Sequence, residues 1–347
     1  MSSPYSDLPT RAFWRNAVAT RAAALPEDIY RPRFDISAAT RIVTAGSCFA
    51  QHVGAALKRA GFSVIDAEPA PRHMSAATAR RFGFGLYSAR YGNIYTSRQL
   101  AQLWGETTGR FTPAYPVWQS GDRFYDAMRP GVEPDGFSDP TLPARHRAQH
   151  LVALRDAFHS ADLMIFTFGL TEAWHDPQSG TVYPTAPGTV ADPPAEAGVA
   201  FVNFSCAEVF ADFAEFRGAL MEDNPSIRFL VTVSPVPLTA TASGAHVEVA
   251  NSYSKSALRA VCHDLTCQFD NVDYYPSYEI VTSRRAEPDV FDANLRSVSA
   301  TGVSTALTPF LTAHGAVPEN VPVKAADADD DWDDPACEEA LLEAFAP

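Results

Sequence analysis

Three strand-length apolar runs separated by helical patterns do most to limit the folds open to this chain. Residues 41–45 (Arg-Ile-Val-Thr-Ala), 163–168 (Leu-Met-Ile-Phe-Thr-Phe) and 227–233 (Ile-Arg-Phe-Leu-Val-Thr-Val) lack the in-out alternation of a half-exposed strand. Strands of this kind are buried on both faces, as in a parallel sheet covered by helices on each side. Between the runs, Phe49, Val53, Ala56 and Leu57 recur at helical spacing until Gly61, and Ser63-Val64-Ile65 follows as a second strand. Residues 41–66 therefore read as a β-α-β unit with a right-handed crossover. Further helices are expected near 144–158, from Ser205 onward, where Glu208 completes a capping-box pattern, and over 250–267, before a short strand at 272–275. The expected fold class is α/β, a three-layer α/β/α sandwich with a mainly parallel sheet.

The rest of the chain decorates that domain. Residues 1–40 are broken by prolines around one helical candidate at 10–24, and read as an N-terminal arm packing on the domain. The domain spans 41–316. Within it, 73–140 is rich in Gly, Pro, Tyr and Trp and too long for a plain loop, so it reads as an insertion near the active face with one helix at 97–106. Residues 317–347 form an acidic tail expected to be disordered, apart from a short helix near 337–345, and a poor place for chemistry.

A net charge of -14 argues against nucleic acid and anionic membranes as partners, since both demand a basic surface. No apolar run reaches the roughly 18 residues of a membrane span, and residues 1–24 mix Asp7, Arg11, Arg15 and Arg21 into what would have to be a leader. Five cysteines, odd in number and without a Cys-x-x-Cys pair, suggest neither a disulfide framework nor a zinc site. We expect a cytoplasmic protein without metal or cofactor.

In parallel sheets ligands sit beyond the carboxyl ends of the strands, which directs attention to Gly46-Ser47, residues 169–174, Ser234-Pro235 and the segment near Tyr275. Ser47 lies between strand and helix, where a hydroxyl is exposed to attack an acyl group and backbone N–H groups face a developing oxyanion. The plainer role for a serine there is to cap the helix. Cys48 is a second nucleophile candidate at a helix N-terminus, but Phe49 beside it favours a buried, inert thiol. With no P-loop and with the acids gathered in the tail, nucleotide hydrolysis is not supported.

Thr44-Ala45-Gly46-Ser47-Cys48-Phe49-Ala50 resembles the signature of the GSCFA-domain proteins, a bacterial group related to SGNH/GDSL hydrolases. Gly169-Leu170-Thr171-Glu172-Ala173-Trp174, Ser234-Pro235-Val236-Pro237, Ser252-Tyr253-Ser254-Lys255-Ser256 and Pro276-Ser277-Tyr278-Glu279 follow in the family's order, over about residues 40–310. The resemblance implies an SGNH/flavodoxin-like fold and a serine hydrolase cleaving or transferring an acyl ester, with Ser47 as nucleophile and its own N–H as an oxyanion donor. Gly92 and Asn93 fall at the second block, and Gly169 and Thr171 at the third, all as oxyanion candidates. Glu172, an acceptor when ionised, suits orienting a histidine or a substrate hydroxyl. Trp174 and His175 lie beside it as substrate contacts.

The fifth block departs from the pattern. Where Asp-x-x-His is expected, the chain has Asn294-Leu295-Arg296-Ser297, and no histidine lies between His263 and His314. His246, ahead of the Ser-Lys-Ser segment, is the first choice of base, and His175 the second. Lys255 reads as a phosphate or carboxylate ligand or as a helix-surface lysine, and Arg296 as an anion clamp or a structural salt bridge. Trp104, Tyr115, Trp118, Phe124 and Tyr125 in the insertion offer either a sugar platform or a small core. The substrate expected is a small-molecule or carbohydrate ester. Two rival readings stay open: a non-catalytic saccharide- or acyl-binding protein on a hydrolase-like fold, and an acyltransferase in polysaccharide metabolism. A histidine within hydrogen-bond reach of Ser47 separates catalysis from binding.

Overall fold

The computed structural model describes residues 3–21, 28–286, 288–316 and 337–346. Strand β1 (Ile42–Gly46) leads into helix α1 (Phe49–Arg59); α2 (Ala76–Arg81), α3 (Ser97–Thr107) and the hairpin β2 (Val117–Ser120) and β3 (Arg123–Asp126) make up the insertion. Next come α4 (Leu142–Ser160), β4 (Leu163–Phe168) and the short strands β5 (Glu172–His175), β6 (Val182–Tyr183) and β7 (Ala200–Asn203). The chain continues through α5 (Cys206–Asp223), β8 (Arg228–Val233), α6 (Val247–Gln268), β9 (Val272–Tyr274), α7 (Ser277–Val281) and α8 (Ala300–Ala313) to a final 3₁₀ helix, Glu338–Phe345.

The central sheet has the order β1-β4-β8-β9, every pair parallel. The expected strand at 63–65 contracts to one parallel bridge, Val64 to Ile42, with Ile42 N–H donating to Ser63 O and Ile65 N–H to Ile42 O, both at 2.8 Å. That segment is a short, half-exposed edge with Gly61 before it and Asp66 after it. Counting it, the order is that of flavodoxin-like folds, whose switch point lies between the first strand and the next one inward, here β1 and β4.

Successive strand residues face opposite layers, which is why the apolar runs are unbroken. Val43, Met164, Phe166, Phe229 and Val231 meet Trp104 of α3, Phe158 of α4, Phe213 and Phe216 of α5 and Leu258 of α6. Ile42, Leu163, Ile165 and Leu230 meet Phe49, Val53 and Leu57 of α1 and Leu307 and Phe310 of α8. The Ser205–Glu208 capping box starts α5 as its sequence indicated. Strands β5, β6 and β7 form a separate antiparallel sheet, so the Thr-Glu-Ala-Trp segment is a strand and not only a turn.

The insertion's Trp118, Tyr125 and Ala127 form a small core with Tyr183 of β6. Trp104 stacks on Phe158 in the main core. These tryptophans are structural and offer no platform to a sugar. Buried Arg129 and Arg147 both reach Asp126, at 2.7 and 3.4 Å, and tie the hairpin to α4. In the arm Phe13 and Trp14 are exposed, while Tyr30 and Ile36 are buried against α1 and α8. The short helix expected near 337–345 is a 3₁₀ helix folded against the domain, and it is not the poor place for chemistry its composition suggested: Cys337 and Glu338 are drawn inward by thiol and polar partners. The remaining tail expectation, 317–336, lies outside the described residues.

Candidate functional site

Gly46 makes the exit from β1 possible. Its φ is +136°, and a side-chain carbon there would clash with Thr167 O and lie 2.7 Å from Thr167 N. Such a backbone is open to glycine and almost nothing else. Ser47 follows, 3% exposed, and its Oγ has no hydrogen-bond partner among the described residues. Cys48, without a side-chain cap, holds the N-cap position of α1, so the capping role does not account for Ser47. Across the switch point, a carbon added at Gly169 would lie 2.8 Å from Ser47 Cβ and 3.1 Å from Tyr95 O. The 92–96 segment threads this gap: Ile94 N–H donates to Gly46 O at 2.8 Å, and Gly169 and Leu170 N–H both donate to Tyr95 O.

Two motifs singled out in the sequence now acquire mechanical roles. In the Ser-Lys-Ser segment of α6, Ser254 Oγ accepts Thr171 N–H at 3.1 Å, and Lys255 Nζ donates to Gly169 O at 2.8 Å, clamping the turn against Ser47. Lys255 is 1% exposed, not a surface lysine. Burial pushes its ammonium down to about 8, against the pull of Glu339. In the Pro-Ser-Tyr-Glu segment, Ser277 Oγ donates to Val233 O at 3.0 Å and Glu279 binds Arg259 at 2.5 Å, which is structural support beneath β8.

Arg296, inside the Asn294-Leu295-Arg296-Ser297 segment where the fifth block is expected, points into the same region. It sits 3.4 Å from Glu339 and 3.6 Å from Cys337 Sγ, and its Nε has no partner among the described residues. Glu338 lies between Gly92 and Gly131, accepting from Asn93 Nδ2 and, at 3.1 Å, from the Tyr95 hydroxyl. Glu339 accepts the Thr239 N–H at 3.1 Å. Burial pushes both carboxyls up, Glu339 to about 7. Hydrogen bonding to Cys337 raises the Cys48 thiol, while the same bond, with Arg296, holds Cys337 low. A cavity of about 180 Å³ opens beside these acids, walled by Leu170, Trp174, Phe201, Leu238 and Leu342.

The proposed bases fall elsewhere. The His246 side chain is 68% exposed; it caps α6, with its Nδ1 accepting Glu248 N–H at 3.3 Å. His175 sits on β5 opposite Val182 and Ala200. Neither is hydrogen-bonded to Ser47, and Lys255 Nζ, given to Gly169 O, is not either. Glu172 borders the cavity and accepts from Thr241 Oγ1 at 2.7 Å, so it orients that hydroxyl and no histidine; burial raises its carboxyl. Among the oxyanion candidates, Ser47 N–H is already given to Thr167 O at 3.1 Å and Gly169 N–H to Tyr95 O at 3.2 Å. Thr171 Oγ1 is buried without a partner. Gly92 and Asn93 face the Glu338 carboxylate, and Trp174 packs on Phe201 while walling the cavity.

A model of the GSCFA family matches residues 41–310. The chain belongs to the GSCFA family. Comparisons with curated proteins and with solved structures gave no match. In this GSCFA chain the donors Asn93, Tyr95, Lys255 and Arg296 all lie inside the family segment, whereas the acids that meet them, Glu338 and Glu339, lie beyond it. Sequence reasoning passed over Tyr95, Cys337, Glu338 and Glu339. Tyr95 had a local signal, since Thr96 and Gln99 make the reciprocal capping box of α3 and Gln99 Oε1 fixes Tyr95 N–H at 3.0 Å. The glutamates carried none beyond an apolar spacing in Leu341, Leu342 and Phe345.

Proposed function

We propose that this GSCFA protein is a serine acyl-ester hydrolase or acyltransferase in which Ser47 is the nucleophile and Lys255 its base. The observation that carries the reading is a buried, unpartnered serine hydroxyl at the switch point of the sheet, on a turn braced by a buried lysine of lowered basicity. A neutral Lys255, its Nζ turned from Gly169 O to Ser47, takes the Oγ proton as Oγ adds to the ester carbonyl carbon. Collapse of the tetrahedral adduct breaks the bond to the alkoxy oxygen, which leaves with the proton from Lys255. Water or an acceptor hydroxyl then releases the acyl group by the same steps in reverse. Asn93 Nδ2 and the Tyr95 hydroxyl are the donors facing a carbonyl oxygen once Glu338 withdraws, and the apolar cavity suits a short acyl chain.

The test is covalent labelling by a fluorophosphonate together with turnover of short-chain p-nitrophenyl esters. We expect both to vanish in Ser47→Ala and turnover to fall strongly in Lys255→Met, while His246→Ala retains it. An unlabelled wild type with no turnover defeats the reading. Two observations favour the binding-protein alternative: no histidine among the described residues is hydrogen-bonded to Ser47, and Ser47 is covered while the groups around it already hold two carboxylates.

A further inference from the structure

The C-terminal segment places two carboxylates in a cleft built from another part of the chain. For Glu338 the fit is specific. Gly131 leaves the room, because a side-chain carbon there would lie 2.5 Å from Glu338 Oε1, while one at Gly92 would only touch it, at 3.5 Å. Asn93 and Tyr95 supply the donors, and both are buried. Asn93 is fixed in turn by Tyr87, which donates to its Oδ1. For Glu339 the partners are Thr239 N–H at 3.1 Å and Arg296 at 3.4 Å, with Lys255 close enough to act on it. A buried carboxylate is costly unless donors and cations meet it, and here they do so on two adjacent spots.

We propose that this cleft is a binding site for a small ligand bearing two carboxylates, and that Glu338 and Glu339 occupy it as an internal competitor. Three facts favour a receptor over simple packing of a terminus. The donors belong to the family domain and the acids do not. Among the described residues, Arg296 Nε and Thr239 Oγ1 have no partner at the Glu339 end, so the internal acid uses less than the site offers. The neighbouring cavity is left open for the body of a larger ligand. A tethered competitor acts at an effective concentration on the order of millimolar, so a free ligand displaces it only by making the contacts that Glu339 leaves unmade. The proposal does not depend on whether Ser47 performs chemistry on that ligand.

The experiment is calorimetric titration of the full chain with glutarate, and with glutaramide as its uncharged counterpart, at fixed ionic strength. Glu338→Ala with Glu339→Ala should bind glutarate at least about tenfold more tightly than the wild type, as expected when an internal competitor is removed. Adding Arg296→Met, or separately the isosteric Tyr95→Phe, to that double variant should return the affinity to the wild-type level or below. Glutaramide should give no comparable heat. Equal glutarate affinity in wild type and double variant, or glutaramide binding as well as glutarate, overturns the proposal. Because the readout is heat of binding, a failure of the ester-cleavage reading leaves this result standing, and labelling of Ser47 does not rescue it.

Discussion

Replacing Gly46 by alanine tests the geometry on which the Ser47 turn depends. At φ +136° an L side chain is strained by about 1–3 kcal/mol. The added methyl also meets Thr167, 2.7 Å from its nitrogen and 2.9 Å from its carbonyl carbon, and those are backbone atoms that cannot rotate away. Relief requires β1 and β4 to part at their carboxyl ends, at an overpacking cost of about 1–3 kcal/mol. The movement weakens the Ser47 N–H to Thr167 O and Ile94 N–H to Gly46 O bonds, each worth about 1 kcal/mol net. We therefore expect Gly46→Ala to lose about 3–5 kcal/mol, a large share of the roughly 5–15 kcal/mol typical of folded domains. Urea unfolding followed by circular dichroism measures it. Gly218→Ala is the matched control: the residue is exposed on α5 with nothing within 4 Å of an added carbon, so the change should stabilise by about 0.5–1 kcal/mol. A loss below about 1 kcal/mol in Gly46→Ala would mean that the turn tolerates a side chain and that the argument from Thr167 is wrong.

Other perturbations follow from particular groups. If a neutral Lys255 is the base, kcat/KM for an ester should rise with pH through about 8 and then level, and Lys255→Met should lower it by about 100-fold or more; a rise centred near 6.5 would assign the proton to a histidine instead. Burial, with Arg129 nearby, pushes His150 from its usual 6.5 down to about 4, so the unfolded chain gains a proton in that window that the folded chain refuses. Stability should fall by up to about 3 kcal/mol as pH drops from 6.5 to 4. Against the opposing effect of burial, hydrogen bonds from His150 and Arg90 N–H hold Glu68 near 2, so the loss should continue below pH 4.5; a melting temperature flat from pH 7 to 4 would contradict the His150 assignment, and one flat from pH 4.5 to 2 the Glu68 assignment. Trp104→Ala, removing a ring stacked 5.7 Å from Phe158, should cost about 3–5 kcal/mol without altering ligand affinity, and a selective loss of binding would restore its reading as a sugar platform.

The apolar runs at 163–168 and 227–233 made the sheet legible because burial on both faces removes polar positions altogether. Val64 was harder to read: as a three-residue edge its pairing depends on a single neighbour, and pattern alone cannot distinguish a bridge from a strand. Ser47 was legible through its strand-turn-helix context. The surroundings of Ser47 were not, since they come from five separate stretches of chain that only the fold brings together: Asn93 and Tyr95 from the insertion, Gly169 after β4, Lys255 on α6, Arg296 before α8 and the glutamates of the terminus. Lys255 shows the limit most plainly. Its segment, Ser-Tyr-Ser-Lys-Ser, is polar and reads as a helix surface, yet that face of α6 is turned inward to hold the Gly169 turn.

The departure at the fifth block acquires physical sense in this setting. A histidine works as a catalytic base where a carboxylate can orient it and water can reach it, and Asn294-Leu295-Arg296-Ser297 supplies neither partner. Instead Asn294 Oδ1 accepts the N–H groups of Arg296 and Ser297, both at 2.9 Å, a local turn that sends the Arg296 side chain toward Glu339 and Cys337. Arg296, a permanent cation, cannot accept a proton at neutral pH. It also lowers the basicity of Lys255 through charge repulsion while drawing an acid into the cleft. The two features agree with the readings proposed above: with Ser297 where the block's histidine would stand, a catalytic site would need a base of another kind, and Arg296 one residue before it offers a partner to an anion. Lys255 meets the first need on the proposal above, and the paired glutamates show in cis what the second can hold.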